Sequence, residues 1–78
     1  MANKSTNTIV NKASAALAGS PFPELRGLSV QATRIDGQSE ELQLRGRVRS
    51  FYHKQLAQEA IFPIAGTMQV VNDLDVSS

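Results

Sequence analysis

The sequence predicts an α+β fold, a two-layer sandwich in the order α-β-β-α-β, with a three-stranded mixed sheet and two helices on one face. Three observations carry that expectation. Apolar residues recur at helical spacing over residues 6–18 and 51–62. They alternate at strand spacing over residues 28–35, 41–49 and 68–76. Gly19, Pro21, Asp36-Gly37, Pro63 and Gly66 punctuate these runs.

The first helix is expected from Thr6 to Ala18, with Ile9, Val10, Ala13, Ala16 and Leu17 on one stripe. Ser5, Thr6 or Asn7 can cap its start, and Gly19 is expected to end it with a positive φ. Residues 20–27 (SPFPELRG) connect, with Phe22 and Leu25 as lids over one end of the core. Leu28, Val30 and Ala32 then share one face of a strand, and Leu42, Leu44, Gly46 and Val48 one face of the next. The polar Asp36–Glu40 turn between them makes an antiparallel hairpin. Ser50 caps the second helix, Leu56, Ala57, Ala60 and Ile61 form its inner stripe, and Pro63 is expected to end it. The last strand turns Val70, Leu74 and Val76 inward. A strand-helix-strand connection is right-handed as a rule, which lays the second helix on one sheet face.

Composition narrows the function. The 78 residues are 41% hydrophobic, 19% charged and 5% aromatic, with net charge +1. That suits one small domain, 1–78, with a core over about 6–76 and tails at 1–5 and 77–78. It is too apolar for charge-driven disorder. No apolar run approaches the roughly 20 residues that span a bilayer. The absence of cysteine excludes disulfides, thiolate metal sites and cysteine nucleophiles, and a single histidine excludes a multi-histidine site. No phosphate-binding glycine loop, zinc-protease motif or nucleophile elbow occurs. The expectation is therefore no enzyme, no cofactor and no metal. Met1–Thr6 is polar and lacks the apolar stretch of a secretory signal, so the chain as written reads as cytoplasmic or as a mature fragment.

Several segments resemble a known family. Leu44-Arg45-Gly46-Arg47-Val48-Arg49-Ser50 is similar to the L-x-G-x-V-x-S segment of BON domains, the bacterial osmotically-inducible and nodulation family. Lys54, Ala57 and Ala60 fit the helix that follows in that family, and Val70–Val76 resembles its terminal V-x-N-x-L-x-V strand. The likeness spans roughly Thr8 to Val76, with Thr67 after Gly66 where the family often has valine. It implies an α/β sandwich of this size, attached to envelope proteins, channels or stress proteins, and a role in binding phospholipid membranes. Gly46, Val48, Gly66, Asn72, Leu74 and Val76 are the structural residues of that motif.

Candidate binding residues follow from spacing. Arg45, Arg47 and Arg49 alternate on one strand face, about 6.6 Å apart, and can present guanidiniums to successive phosphates. The competing reading is a solvated face paired with Asp73, Asp75 or Glu41. Phe51 and Phe62 share a flank of the second helix, about 16 Å apart. They are expected to pack against the 22–25 connection or the helix ends, with insertion into a membrane interface as the other reading. Tyr52 is expected to bury its ring and wet its hydroxyl. Gly46 is expected where a side chain would push the covering helix away. His53 reads as a hydrogen-bonded structural residue, and Asn72 as an inward amide that satisfies backbone groups in a neighbouring loop. The partner expected is an anionic phospholipid surface or, alternatively, another protein or a second copy paired through a sheet edge. Nucleic acid is disfavoured because no aromatic shares the arginine face of the hairpin.

Overall fold

The computed structural model describes residues 4–37 and 39–77. The expected tail residues 1–3 and 78, and Gln38 of the hairpin loop, lie outside the described residues. Helix α1 runs Lys4–Ala18, and a single 3-10 turn follows at Pro23–Leu25. Strands β1 (Ser29–Arg34) and β2 (Glu40–Arg45) form the hairpin. A two-residue strand β3 (Arg47–Val48) leads into helix α2 (Phe51–Ala65), and β4 (Gln69–Asn72) and β5 (Asp75–Val76) close the chain. The α+β reading and its element order stand, with both long strands of the expectation divided in two.

The main sheet has the order β1-β2-β4. β1 and β2 are antiparallel, from Ser29 opposite Arg45 to Arg34 opposite Glu40. β2 and β4 are parallel, from Glu41 opposite Gln69 to Leu44 opposite Asn72. β3 and β5 are also parallel, with Arg47 opposite Asp75 and Val48 opposite Val76. Asp73 donates its N–H to the Leu44 carbonyl at 3.1 Å and Asp75 to the Gly46 carbonyl at 3.0 Å, so the ladder carries on through the break. The interruption falls at Gly46, whose φ of 139° is open to glycine alone. A Cβ there would lie 2.6 Å from a Leu28 methyl, so the close neighbour is Leu28 and not the covering helix.

Only one sheet face is dry. Leu42, Leu44 and Val30 are buried against Ala13 and Leu17 of α1 and Ala57, Ile61 and Ala65 of α2. Val48 and Leu74 extend that core past the strand breaks, and Leu25 closes one end of it. Alanines at 13, 57 and 65 let both helices settle close to the pleated surface. Asn72 anchors α2 to β4: its Nδ2 donates to the Lys54 carbonyl at 2.9 Å and to Gln58 Oε1 at 3.1 Å. Its Oδ1 accepts the Leu74 N–H at 3.4 Å in the following loop, so it serves a helix as well as the expected loop.

Four boundaries are corrected. α1 already includes Lys4 and Ser5, so these are not tail, and Ser5–Asn7 lie within the helix rather than capping it. Gly19 does not take a positive φ; it donates to the Ala15 carbonyl at 2.9 Å and simply closes the last turn. Pro63 lies inside α2. Its ring costs one hydrogen bond, to the carbonyl of solvent-exposed Glu59, where water can serve instead. Burial of Ala65 holds the extra turn, and Gly66, at φ 64°, ends it. Ser77 donates to the Val48 carbonyl at 2.9 Å and so belongs to the folded ladder.

Candidate binding surface

Ser50 starts α2 from an extended backbone and accepts the His53 N–H on its hydroxyl at 3.2 Å. From that fixed start, the helical period turns Ala57, Ile61 and Ala65 inward and Phe51, Tyr52, Gln55, Glu59 and Phe62 outward. The outward rings are not covered. Phe51 is 75% exposed, Tyr52 63% and Phe62 61%. The expectation that Phe51 and Phe62 pack against the 22–25 connection is overturned, as is the expected burial of the Tyr52 ring. The physical reason is space. The inner stripe of α2 already fills the gap to the sheet with small and aliphatic residues, and the connection meets α2 at His53, through Phe22 and Glu24, and not at these phenylalanines. Phe22 is the remaining phenylalanine, and it too reaches the surface.

At the start of α2, rings and charges cluster. Phe22 and Tyr52 both meet the His53 ring edge-on, at centroid distances of 6.2 Å and 5.7 Å. His53 Nδ1 lies 2.8 Å from Glu24 Oε2 and 2.7 Å from Ser50 Oγ. The histidine is thus the hydrogen-bonded structural residue expected, tying the 3-10 turn to α2. Serine, histidine and glutamate meet here, but the hydroxyl and the carboxylate converge on the same ring nitrogen. A nucleophilic triad needs them on opposite nitrogens, so that one activates the hydroxyl while the other orients the ring. Among the described residues no three His, Cys, Asp or Glu side chains are grouped to hold a metal ion.

The three arginines do not form one row. Arg45 and Arg47 line an open depression of about 460 Å³ together with Gly46, Asp73 and Asp75. No ion pair within 4.0 Å joins these arginines to these aspartates among the described residues. Arg49 turns instead toward the 3-10 turn, its Nε 3.5 Å from Glu24 Oε1, with most of its side chain in water. An exposed pair of this kind contributes little and leaves the guanidinium accessible. Glu24 was not among the partners expected for it; a residue so distant in sequence, across a proline-rich connection, leaves no periodic signal. Arg45 lies on the outer sheet face, with Gln43 and Glu41, whereas Phe51 and Phe62 project from the opposite side of the helix layer. Of the proposed binding residues, the fold leaves Phe51 and Phe62 on one flank of α2, turns Arg49 toward Glu24 and His53, and places Arg45 and Arg47 beside Asp73 and Asp75.

A second recess, of about 380 Å³, lies between the end of α1 and α2, with Phe22, Leu25, Leu56 and Ala60 among its walls. No helix is long and apolar enough to cross a membrane among the described residues. Comparison with family models, with curated proteins and with solved structures finds no match for this chain.

Proposed function

We propose that this chain is a non-catalytic binding module that associates weakly with anionic phospholipid surfaces through the outer face of α2, in keeping with its resemblance to BON domains. The observation that carries the reading is the exposure of Phe51, Tyr52 and Phe62 on one helix face. A monomer seldom leaves such large rings in water, and each offers apolar area that a membrane interface would take up. Arg49, one residue before the Ser50 cap and mostly in water, supplies positive charge near the start of the same helix. Removing about 50 Å² of each ring from water yields about 1 kcal/mol per ring at 25 cal/mol/Å². With about 1 kcal/mol from Arg49 near an anionic leaflet, the sum corresponds to roughly millimolar affinity for one copy. Such a module adds to a second anchor rather than holding a surface by itself. Arg45 and Arg47, on the far side of the sheet, take no part in this contact.

The convergence of Ser50 and Glu24 on a single nitrogen of His53 supports the non-catalytic part of the reading. The test is co-sedimentation with vesicles of phosphatidylglycerol against vesicles of phosphatidylcholine. Pelleting with the anionic vesicles, reduced severalfold by Phe51→Ser with Phe62→Ser, is the expected result. Equal behaviour of the two proteins, or no pelleting at low salt, would overturn the proposal.

A further inference from the structure

We propose that the open edge of β1 pairs antiparallel with β1 of a second copy of this chain, about a two-fold axis at Ala32, to make one continuous sheet. β1 is an outer strand of the three-stranded sheet. At the hairpin end Ile35 donates its N–H to the Ser39 carbonyl at 2.9 Å. Antiparallel ladders alternate, so Thr33, Gln31 and Ser29 direct their main-chain groups to β2, while Val30 and Ala32 direct theirs to the open edge. No described residue bonds to the main chain of Val30 or Ala32 there. An unpaired strand edge is a template for another chain, and proteins that avoid pairing guard it with lysine, proline or a bulge. Residues 29–33 (SVQAT) carry none of these. The other outer strand, β4, is two residues shorter and is followed at once by Asp73.

The strand is self-complementary about Ala32. The outward groups of Ala32 bond to those of its symmetry mate, which places a small side chain on the axis. On the wet face, Gln31 then stands opposite the partner's Thr33, an amide beside a hydroxyl. The one charge on the strand, Arg34, lies about 14 Å from the partner's Arg34, beyond the screening length of about 10 Å. The helix layer permits the approach. Ala16 of α1 lines the recess with Leu56 and Ala60 of α2, which marks the flank of α1 that faces α2. The opposite flank, overhanging β1, presents Asn7, Asn11, Ser14 and Ala18, all exposed, small or uncharged. Lys4, three residues before Asn7, falls on the same row, so the flanks meet along the uncharged Asn7, Asn11, Ser14 and Ala18. The footprint is about 20 Å of strand by the 17 Å thickness of the molecule. That is below the size of stable specific interfaces, so the main-chain ladder carries the pairing and the dimer is weak and concentration-dependent.

Sedimentation velocity over a micromolar-to-millimolar concentration series tests this. The expected result is a weight-average mass that climbs toward twice the monomer's. Ala32→Pro removes an outward N–H that the hairpin does not use, and an edge strand tolerates it. Losing two symmetry-related hydrogen bonds weakens the dimer about thirtyfold. Gln31→Lys with Thr33→Lys sets like charges opposite each other on the solvent face and abolishes self-association. The matching variant, Gln31→Glu with Thr33→Glu, also stays monomeric alone, and a mixture of the two forms a heterodimer. Circular dichroism confirms that each variant keeps the fold. A wild-type chain that stays monomeric throughout, or charge variants that fail to pair when mixed, would overturn the proposal. Neither result bears on vesicle binding, which uses the far face of α2.

Discussion

The two sides of α2 are built from different residues for different ends. Its inner side, Ala57, Ile61 and Ala65, is wholly buried and aliphatic. Its outer side holds three of the chain's four aromatic residues, and these stand in water. A small domain short of core would be expected to spend its largest apolar groups inside. This one closes its core with leucine, isoleucine, valine and alanine and leaves the rings out. Their exposure is what the proposed docking to a phospholipid surface would explain.

The sharpest contrast between the two sides is energetic. Ile61→Ala empties a fully buried position between α2 and the sheet and should cost about 3–4 kcal/mol, read from chemical denaturation. A cost below about 1 kcal/mol would mean that the inner side is not the core. Next in size is Gly46→Ala, at about 2 kcal/mol. The added methyl group demands a left-handed backbone and displaces Leu28. The same assay checks it, and a neutral outcome would mean that the strand break at Gly46 relaxes easily. Ser50→Ala removes the cap of α2 and the hydroxyl beside His53 Nδ1, for about 1 kcal/mol. In a domain of this size that lowers Tm by roughly 4–8 °C. An unchanged Tm would show that Glu24 alone holds the start of the helix.

The inner side of α2 was legible in the sequence and the outer side was not, for one reason. Ala57 and Ile61 announce themselves by period, and burial follows from period when the neighbouring sheet has a matching apolar face. The same periodicity placed Phe51 and Phe62 away from Leu56 and Ala57. What misled was the general preference of phenylalanine for the interior, which is a tendency of residue types and not a statement about available space. Pro63 misled in the same manner: proline opposes helix interiors, but in a last turn it removes one bond near solvent, and the burial of Ala65 outweighs that loss. The alternation of Arg45 and Arg47 was legible along a strand whose ladder carries on through Gly46. The turn of Arg49 toward Glu24 was not, because it depends on where the proline-rich connection lands in space. The helical and strand periods predict the α-β-β-α-β order that the structure has; the docking role that the resemblance to BON domains implies is a proposal drawn on the exposed face of α2.

The measurement that bears most directly on the separation of the two sides is a paired one on Phe51→Ser with Tyr52→Ser and Phe62→Ser: denaturation stability, and pelleting with phosphatidylglycerol vesicles. The account predicts stability within about 0.5 kcal/mol of wild type, as for exposed positions generally, together with loss of most vesicle binding. Stability that collapses like that of Ile61→Ala, or pelleting that persists undiminished, would contradict it.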